Sequence, residues 1–392
     1  MNHTILVVDG TITAVGANLT VPAGAEVIDL SGMTVMPGFT DSHVHITGQS
    51  GSAEYYEAIF RRTMMDEAVT AHIFARRTLD AGFTTVRSLG AGPPFVDISL
   101  RNAINRGDFP GPRIIAANMY IGSTGSHGDL NGFSPWLGDH TPPEMTGIAD
   151  GVDAVRKKVR YLIKYGADVI KFGATAGVLS EEASVGAPQY SQEEMNAIVS
   201  EAHLHGIKVT AHAHGAEGLK MAVKAGVNSV EHGSFLDEEG IRLMKERGTY
   251  LSADIYNDDY ILAEFAKFGT PQKIIDKEKL VGRTQRENFK KAVQAGVKIA
   301  YGTDAGVYPH GWNAKQFAKM VEWGMTPMAA IQASTVGNAD LFGWSDRIGS
   351  ITEGKYADII AVEGDPLENI GILENITFVM KGGVVYKGGA TK

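Results

Sequence analysis

Six side chains able to ligate a metal stand at the ends of short apolar runs: His43, His45, Lys171, His212, His232 and Asp304. The first two lie in Met36-Pro-Gly-Phe-Thr-Asp-Ser-His43-Val-His45. Side chains alternate across a strand, so both imidazoles face one way and Val44 the other. Two imidazoles on one face at a strand end can bind a single transition metal. A lone His-x-His is commonly two unrelated surface histidines. The weight comes from the matching groups elsewhere, with Asp304 inside Tyr301-Gly-Thr-Asp-Ala-Gly306.

The elements that must carry these groups are short and apolar. Runs ending at His43 and covering residues 83–90, 113–117, 168–172, 208–212, 229–232, 250–253 and 298–301 read as eight buried parallel strands. Most are followed by helical patterns. One such pattern spans roughly residues 54–79, and another starts at Ser191-Gln-Glu-Glu194, a capping box. Eight β-α units predict an α/β fold, a (β/α)8 TIM-like barrel, whose chemistry lies at the C-terminal strand ends. Residues 4–9, 11–15 and 25–30, with 358–362 and 376–386, read as β pieces that need each other as partners. They predict a small β-sandwich from both termini, residues 1–36 with 347–392, around a catalytic barrel at 37–346.

Composition narrows the chemistry. The 392 residues are 44% hydrophobic, enough for a large core. There is no cysteine, so disulfides, thiolate ligands and cysteine nucleophiles are excluded. A formal net charge of −9 without a basic run argues against nucleic acid. No stretch has the length of a membrane span, and the first residues lead into a strand rather than a secretory leader. The expectation is no membrane partner and a cytoplasmic protein as numbered, or a secreted or periplasmic one if a leader was removed.

The motifs also resemble a known family. The pattern is similar to the amidohydrolase superfamily, in its binuclear-metal branch with a carboxylated lysine. The resemblance covers nearly the whole chain, including Gly354-Lys-Tyr-Ala-Asp358-Ile-Ile-Ala-Val362. More narrowly, Thr210-Ala-His-Ala-His-Gly-Ala-Glu-Gly218, Gly122-Ser-Thr-Gly-Ser-His127-Gly and Tyr301-Gly-Thr-Asp-Ala-Gly-Val-Tyr-Pro-His-Gly311 resemble Xaa-Pro dipeptidase-like, arginine/lysine carboxypeptidase and ochratoxin-degrading members. Asp254-Ile-Tyr256-Asn-Asp-Asp-Tyr260 looks most like the last of these. The resemblance implies two divalent ions, zinc by type. His43, His45 and Asp304 would hold one and His212 and His232 the other, with Lys171 between them as a CO2-derived carbamate. An ammonium cannot ligate a cation, whereas a carbamate offers anionic oxygens. The same resemblance implies a small amide or dipeptide substrate and a homo-oligomer as large as an octamer.

That ligand set points to metal-assisted hydrolysis of the amide in N-acyl amino acids or dipeptides, ochratoxin A among them. Asp304 would carry the proton to the departing amine. His127 in its Gly-rich loop and Tyr256 past the seventh strand are candidate donors to the oxyanion. Arg87, Ser88, His214, Tyr308 and His310 are candidate substrate contacts, and guanidinium suits a carboxylate. Asp254, Asp258 and Asp259 could attract a cationic side chain, and Trp136 and Trp312 could wall an aromatic group. His203 and His205 end a helix, and His3, His72 and His140 are background. Two alternatives stand beside this reading: a mononuclear deaminase or imidazolonepropionase-like ring hydrolase, which Lys171 argues against, and a metal-free scaffold, which would have lost ligands.

Overall fold

The computed structural model describes residues 3–50, 61–90, 92–131, 134, 142–182 and 184–388. Within them β1 (Thr4–Val8) and β2 (Thr11–Gly16) precede β3 (Met33–Pro37) and β4 (Phe39–Val44). There follow β5 (Phe83–Ser88), β6 (Arg113–Ala116), β7 (Tyr120–Ile121), β8 (Val169–Gly173), β9 (Lys208–Ala213), β10 (Ser229–His232), β11 (Tyr250–Ser252) and β12 (Ile299–Ala300). The order ends with β13 (Ile359–Glu363), β14 (Phe378–Lys381) and β15 (Val384–Lys387). Helices such as Val96–Arg106, Val152–Lys164, Gln192–Leu204, Ala216–Ala225 and Glu238–Arg247 separate the parallel strands.

β4, β5 and β6 form one parallel sheet, and β7 to β12 form another in sequence order. Backbone bonds tie the two sheets together at both margins. Asp168 N donates to Ala116 O at 2.8 Å, while Ser42 N donates to Tyr301 O at 2.7 Å and Val44 bridges Ala305 in parallel. The strands are apolar because both faces are covered; β4, β5, β8 and β10 are buried at every position. Phe39, Phe83, Tyr301 and Phe317 form a closed ring of four contacts, with successive centroid spacings of 5.6, 5.8, 4.3 and 4.9 Å.

The termini do meet. β3 pairs antiparallel with β13, β13 with β14, and β14 with β15. The β1–β2 hairpin lies against this sheet through Ile12, Ala357, Ile359, Phe378 and Met380. Gly38 joins β3 to β4, and a Cβ there would sit 2.2 Å from Thr84 Oγ1, so only glycine lets the chain cross.

Three expectations change. The run at 25–30 is not a strand, since Pro22 and Gly24 turn the chain and only residue 28 keeps a bridge. The run at 376–386 is a hairpin, because Gly382 and Gly383 both take positive φ. The helix placed at 54–79 is described as Met64–Asp80, entered through a Thr63–Asp66 capping box; residues 51–60 lie outside the described residues. The Ser191 box is present as read, with Glu194 Oε2 accepting from Ser191 N at 2.8 Å.

Candidate metal centre

Backbone pairing brings the first candidate ligands together. His45 N donates to Ala305 O and Asp304 N to His43 O, each at 2.7 Å, which sets Asp304 beside the His-x-His pair. Asp304 Oδ1 lies 3.2 Å from His43 Nε2 and 3.0 Å from His45 Nε2. In the other sheet, the β9–β10 register places His232 opposite Ala213, between His212 and His214. The His232 ring is 4.5 Å from His212 and 4.6 Å from His214, and 5.2 Å from His43. Lys171 on β8 is buried nearby, at 2% exposure.

Buried polar atoms converge there without partners. Lys171 Nζ, His212 Nε2 and Asp304 Oδ1 are buried and have no aligned hydrogen-bond partner. Such orphans are costly unless something satisfies them. Among the described residues two sets of donor atoms lie within 4.8 Å of one another: His43, His232 and Asp304, and His212, His214 and His232. Neutral imidazole and carboxylate are the donors a divalent transition metal prefers, so the residues fit a metal.

The electrostatics agree. Burial lowers His43 to about 4, with Lys171 adding to the effect, and drives His212 and His214 well below the usual histidine range. Burial alone would lower His232 too, but the Asp254 carboxylate outweighs it and holds the ring above its ordinary value. Burial would raise Asp304, yet His43, His45 and His232 keep it ionised and well below the carboxylate range. Burial pulls the Lys171 amine down to about 8, partly offset by Glu231 and Asp304. An amine so poised is neutral often enough to react with CO2.

A second ring of groups orients the first. His45 Nδ1 meets Gly90 O at 3.0 Å, His214 Nδ1 meets Ser234 Oγ at 2.7 Å, and His232 Nδ1 meets Asp254 Oδ1 at 2.8 Å. Gln285 Nε2 donates to Asp254 Oδ1 at 2.9 Å and Asn257 Nδ2 to Asp304 Oδ2 at 3.1 Å. Beneath the histidines Glu231 Oε2 lies 3.2 Å from His43 Nδ1, while Glu231 Oε1 accepts from Arg87 at 2.8 Å and from Ser229 at 2.9 Å. Two candidate ligand positions are strained: His232 and Asp304 take φ of 71° and 56°, a region non-glycine residues avoid.

Several expected substrate contacts are placed otherwise. Arg87 does not face a substrate: it is 2% exposed and its guanidinium is spent on Glu231, Ser229 and Ser42 O. Ser88 alternates to the opposite side and is wholly buried. Tyr308 has no exposed surface and is wedged between Tyr256 and Tyr260, at 5.0 and 6.1 Å. His310 is not free over the mouth; its Nε2 lies 2.8 Å from Gly48 O and its ring packs on Phe74, so it secures the loop after His45. The acidic loop is neutralised from within. Asp254 serves His232, Asp258 pairs with Arg286 at 3.0 Å, and Asp259 with Lys319 at 2.8 Å.

Two expected groups reach the cluster. His127 stacks on His212 at 4.3 Å, and burial lowers it to about 3. His214 joins the His212–His232 set. Tyr256 sits at the β11 end, held by Tyr308, and burial raises its hydroxyl to about 12. Trp312 is 44% exposed, and Trp136 lies outside the described residues. The sequence reading missed Glu231, Gln285 and Tyr120, whose ring lies 6.2 Å from His212. Glu231 had a signal, an acid inside an apolar strand opposite Arg87 in another.

The pattern of the amidohydrolase family matches residues 34–388. The chain belongs to that family. Among amidohydrolases, an ochratoxinase from Aspergillus niger is 34% identical over 90% of this chain and 76% of its own length. A solved Xaa-Pro dipeptidase with methionine bound in its active site is 43% identical, covering 98% of this chain and 94% of that one with a TM-score of 0.92. The structure of A. niger ochratoxinase superposes with a TM-score of 0.87 at 30% identity, over 99% and 92% of the two chains. Amidohydrolases as a family bind metal ions, and the two histidine sets are where this member could do so.

Proposed function

We propose that this amidohydrolase is a zinc-dependent hydrolase of the amide bond in dipeptides or N-acyl amino acids, ochratoxin A among them. The observation that carries this is the orphaned Lys171 amine beside His43 and His212, both held below the usual histidine range by burial, and an ionised Asp304. Relatives named for dipeptides and for ochratoxin support it. Lys171 also disfavours the mononuclear ring hydrolases, although an imidazolonepropionase from Nocardia farcinica is 25% identical over 91% of this chain.

His43, His45 and Asp304 would hold one ion. His212 and His232 would hold the other, with His214 beside them and Lys171, as its carbamate, completing both. Bound metal supplies Lewis acidity and a water acidic enough to attack at neutral pH. Asp304, kept anionic, takes a proton and returns it to the leaving amine. His127 and Tyr256 would donate to the carbonyl oxygen. The linked sheets support a closed (β/α)8 barrel at 37–346, capped by a sandwich of 1–36 and 347–392. A homo-oligomer remains part of this reading.

The test is amino-acid release from dipeptides and N-acyl amino acids ending in Pro, Arg, Lys, Leu or Phe, with ochratoxin A included. Protein loaded with Zn²⁺ in bicarbonate is compared with a chelated control, alongside metal content. Chelator-sensitive release with about two ions per chain is expected. About one ion per chain, with deamination or ring opening in place of amide cleavage, would overturn the reading.

A further inference from the structure

A phenol stands beside the centre with its hydroxyl unspent. Tyr120 on β7 is the register partner of Lys171 on β8, and the two strands are parallel, so both side chains point to one face. The same face carries the candidate ligands, because His212 on β9 is the register partner of Gly173, two residues beyond Lys171. The Tyr120 ring reaches along β8 to that level. A Cβ on Gly173 would meet Tyr120 Oη at 2.0 Å, and one on Gly128 would meet Cδ1 at 2.2 Å, so two missing side chains make the seat of the ring. Edge contacts to His127 and His212, with centroids 6.0 and 6.2 Å away, complete it.

Tyr120 Oη and Lys171 Nζ are both shut off from solvent, and neither has a hydrogen-bond partner among the described residues. A protonated lysine only donates, and a phenol donates most readily. Two buried donors on one face are costly unless an acceptor joins them. The protein does not supply it. Glu182, on the loop after β8, accepts from Gln189 at 2.7 Å through Oε1, and its Oε2 is as unpaired as the phenol. Side chains two apart on one strand face stand roughly 6.6 Å apart and lean along the strand. A lysine lengthened by a carboxyl group spans such a gap, whereas the bare amine makes no bond to the phenol.

We infer that Tyr120 is a positioning residue, which donates its hydroxyl to one oxygen of a Lys171 carbamate and so fixes the plane of that group. This rests on the carbamate in the proposed ligand set and adds the side chain that holds it. The neutral amine adds through its lone pair to the carbon of CO2 and releases one proton to solvent. One N–H remains, with two oxygens sharing a negative charge. Donation from Tyr120 favours this anion over the free amine.

The experiment follows zinc uptake by metal-free, CO2-depleted protein against bicarbonate concentration, in wild type and in Tyr120→Phe. Bound zinc is counted after gel filtration. Isotope-labelled bicarbonate reports a carbamate carbon resonance, which Lys171→Ala should lack. Tyr120→Phe should need roughly 10- to 100-fold more bicarbonate for half-maximal loading, the worth of a hydrogen bond to a charged group. Before loading, its urea midpoint should equal or exceed that of wild type, because the hydroxyl it loses has no partner. Equal bicarbonate requirements in the two proteins overturn the inference. A lower urea midpoint in the unloaded variant also overturns it, since the hydroxyl would then be spent within the bare protein, on Glu182 for example. Wild type that loads fully without bicarbonate and shows no carbamate resonance strikes the carbamate itself, and the inference with it. Uptake is read without substrate, so failure of the hydrolase panel strikes the amide reading alone.

Discussion

His232 Nδ1 lies 2.8 Å from Asp254 Oδ1, and this bond leaves Nε2 of His232 as the nitrogen that faces the other histidines. Asp254 is itself held by Gln285 and Asn257. Asp254→Ala removes the orienting carboxylate and should weaken metal binding by roughly 10- to 100-fold. Competition against a chromogenic chelator measures this, and an affinity equal to wild type would refute the orienting role.

Asp304 is predicted to move protons as well as to ligate. Asp304→Asn keeps the shape but cannot accept a proton. Turnover should fall by roughly 10²- to 10⁴-fold. Metal analysis of the same sample should still find an ion, because His212, His214 and His232 are untouched. Activity near wild type in this variant would assign the proton transfer elsewhere.

The Arg87–Glu231 pair offers a stability test. Both side chains are buried to within 2% of completely, so removing one strands the other's charge. Arg87→Ala should cost about 3–5 kcal/mol of unfolding free energy. Arg87→Ala with Glu231→Gln should cost less than the two single losses added. Urea denaturation of all four proteins provides the cycle. Additive losses would mean that the two charges do not depend on each other.

Asp97 gives a pH prediction away from the centre. It caps Val96–Arg106 from within, accepting from Ile98 N at 2.8 Å and Asn118 N at 2.9 Å, and burial raises it to about 7. The folded chain thus holds a proton that the unfolded chain releases near pH 3.8. Its contribution is fully present below that value and is lost as pH rises through about 7. Wild type should lose more stability than Asp97→Asn between pH 5 and 7. Parallel denaturation curves at both pH values check it, and an equal loss would overturn the assignment.

Much of the site was legible because strand ends are short and their ligands are chemically unusual. His43, His45, His212 and His232 close apolar runs, where an imidazole has no packing reason to stand. Lys171 was legible for the same reason. What stayed hidden was direction. Arg87 ends a strand as the histidines do, but nothing local tells that its guanidinium turns beneath them to Glu231. His310 and Tyr308 sit in a motif with Asp304, yet pairing of the 301–305 stretch with β4 turns them into the wall. Gln285 lay in an ordinary amphipathic helix, and only tertiary packing shows that it reaches Asp254 and the His232 carbonyl. In the small sheets, alternation revealed the strands, while the Gly382-Gly383 hairpin and the irregular 25–30 segment depended on backbone angles.

The hinge at Gly38 has a consequence for how the protein is made. The strand that delivers His43 and His45 is the direct continuation of β3, and β3 is completed by β13, with Thr34 donating to Gly364 O across 330 positions. A ribosome exposes β3 long before its partner exists. The first two candidate ligands hang from a strand whose anchorage is synthesised more than 300 residues later, so the centre should mature only once β13 has emerged.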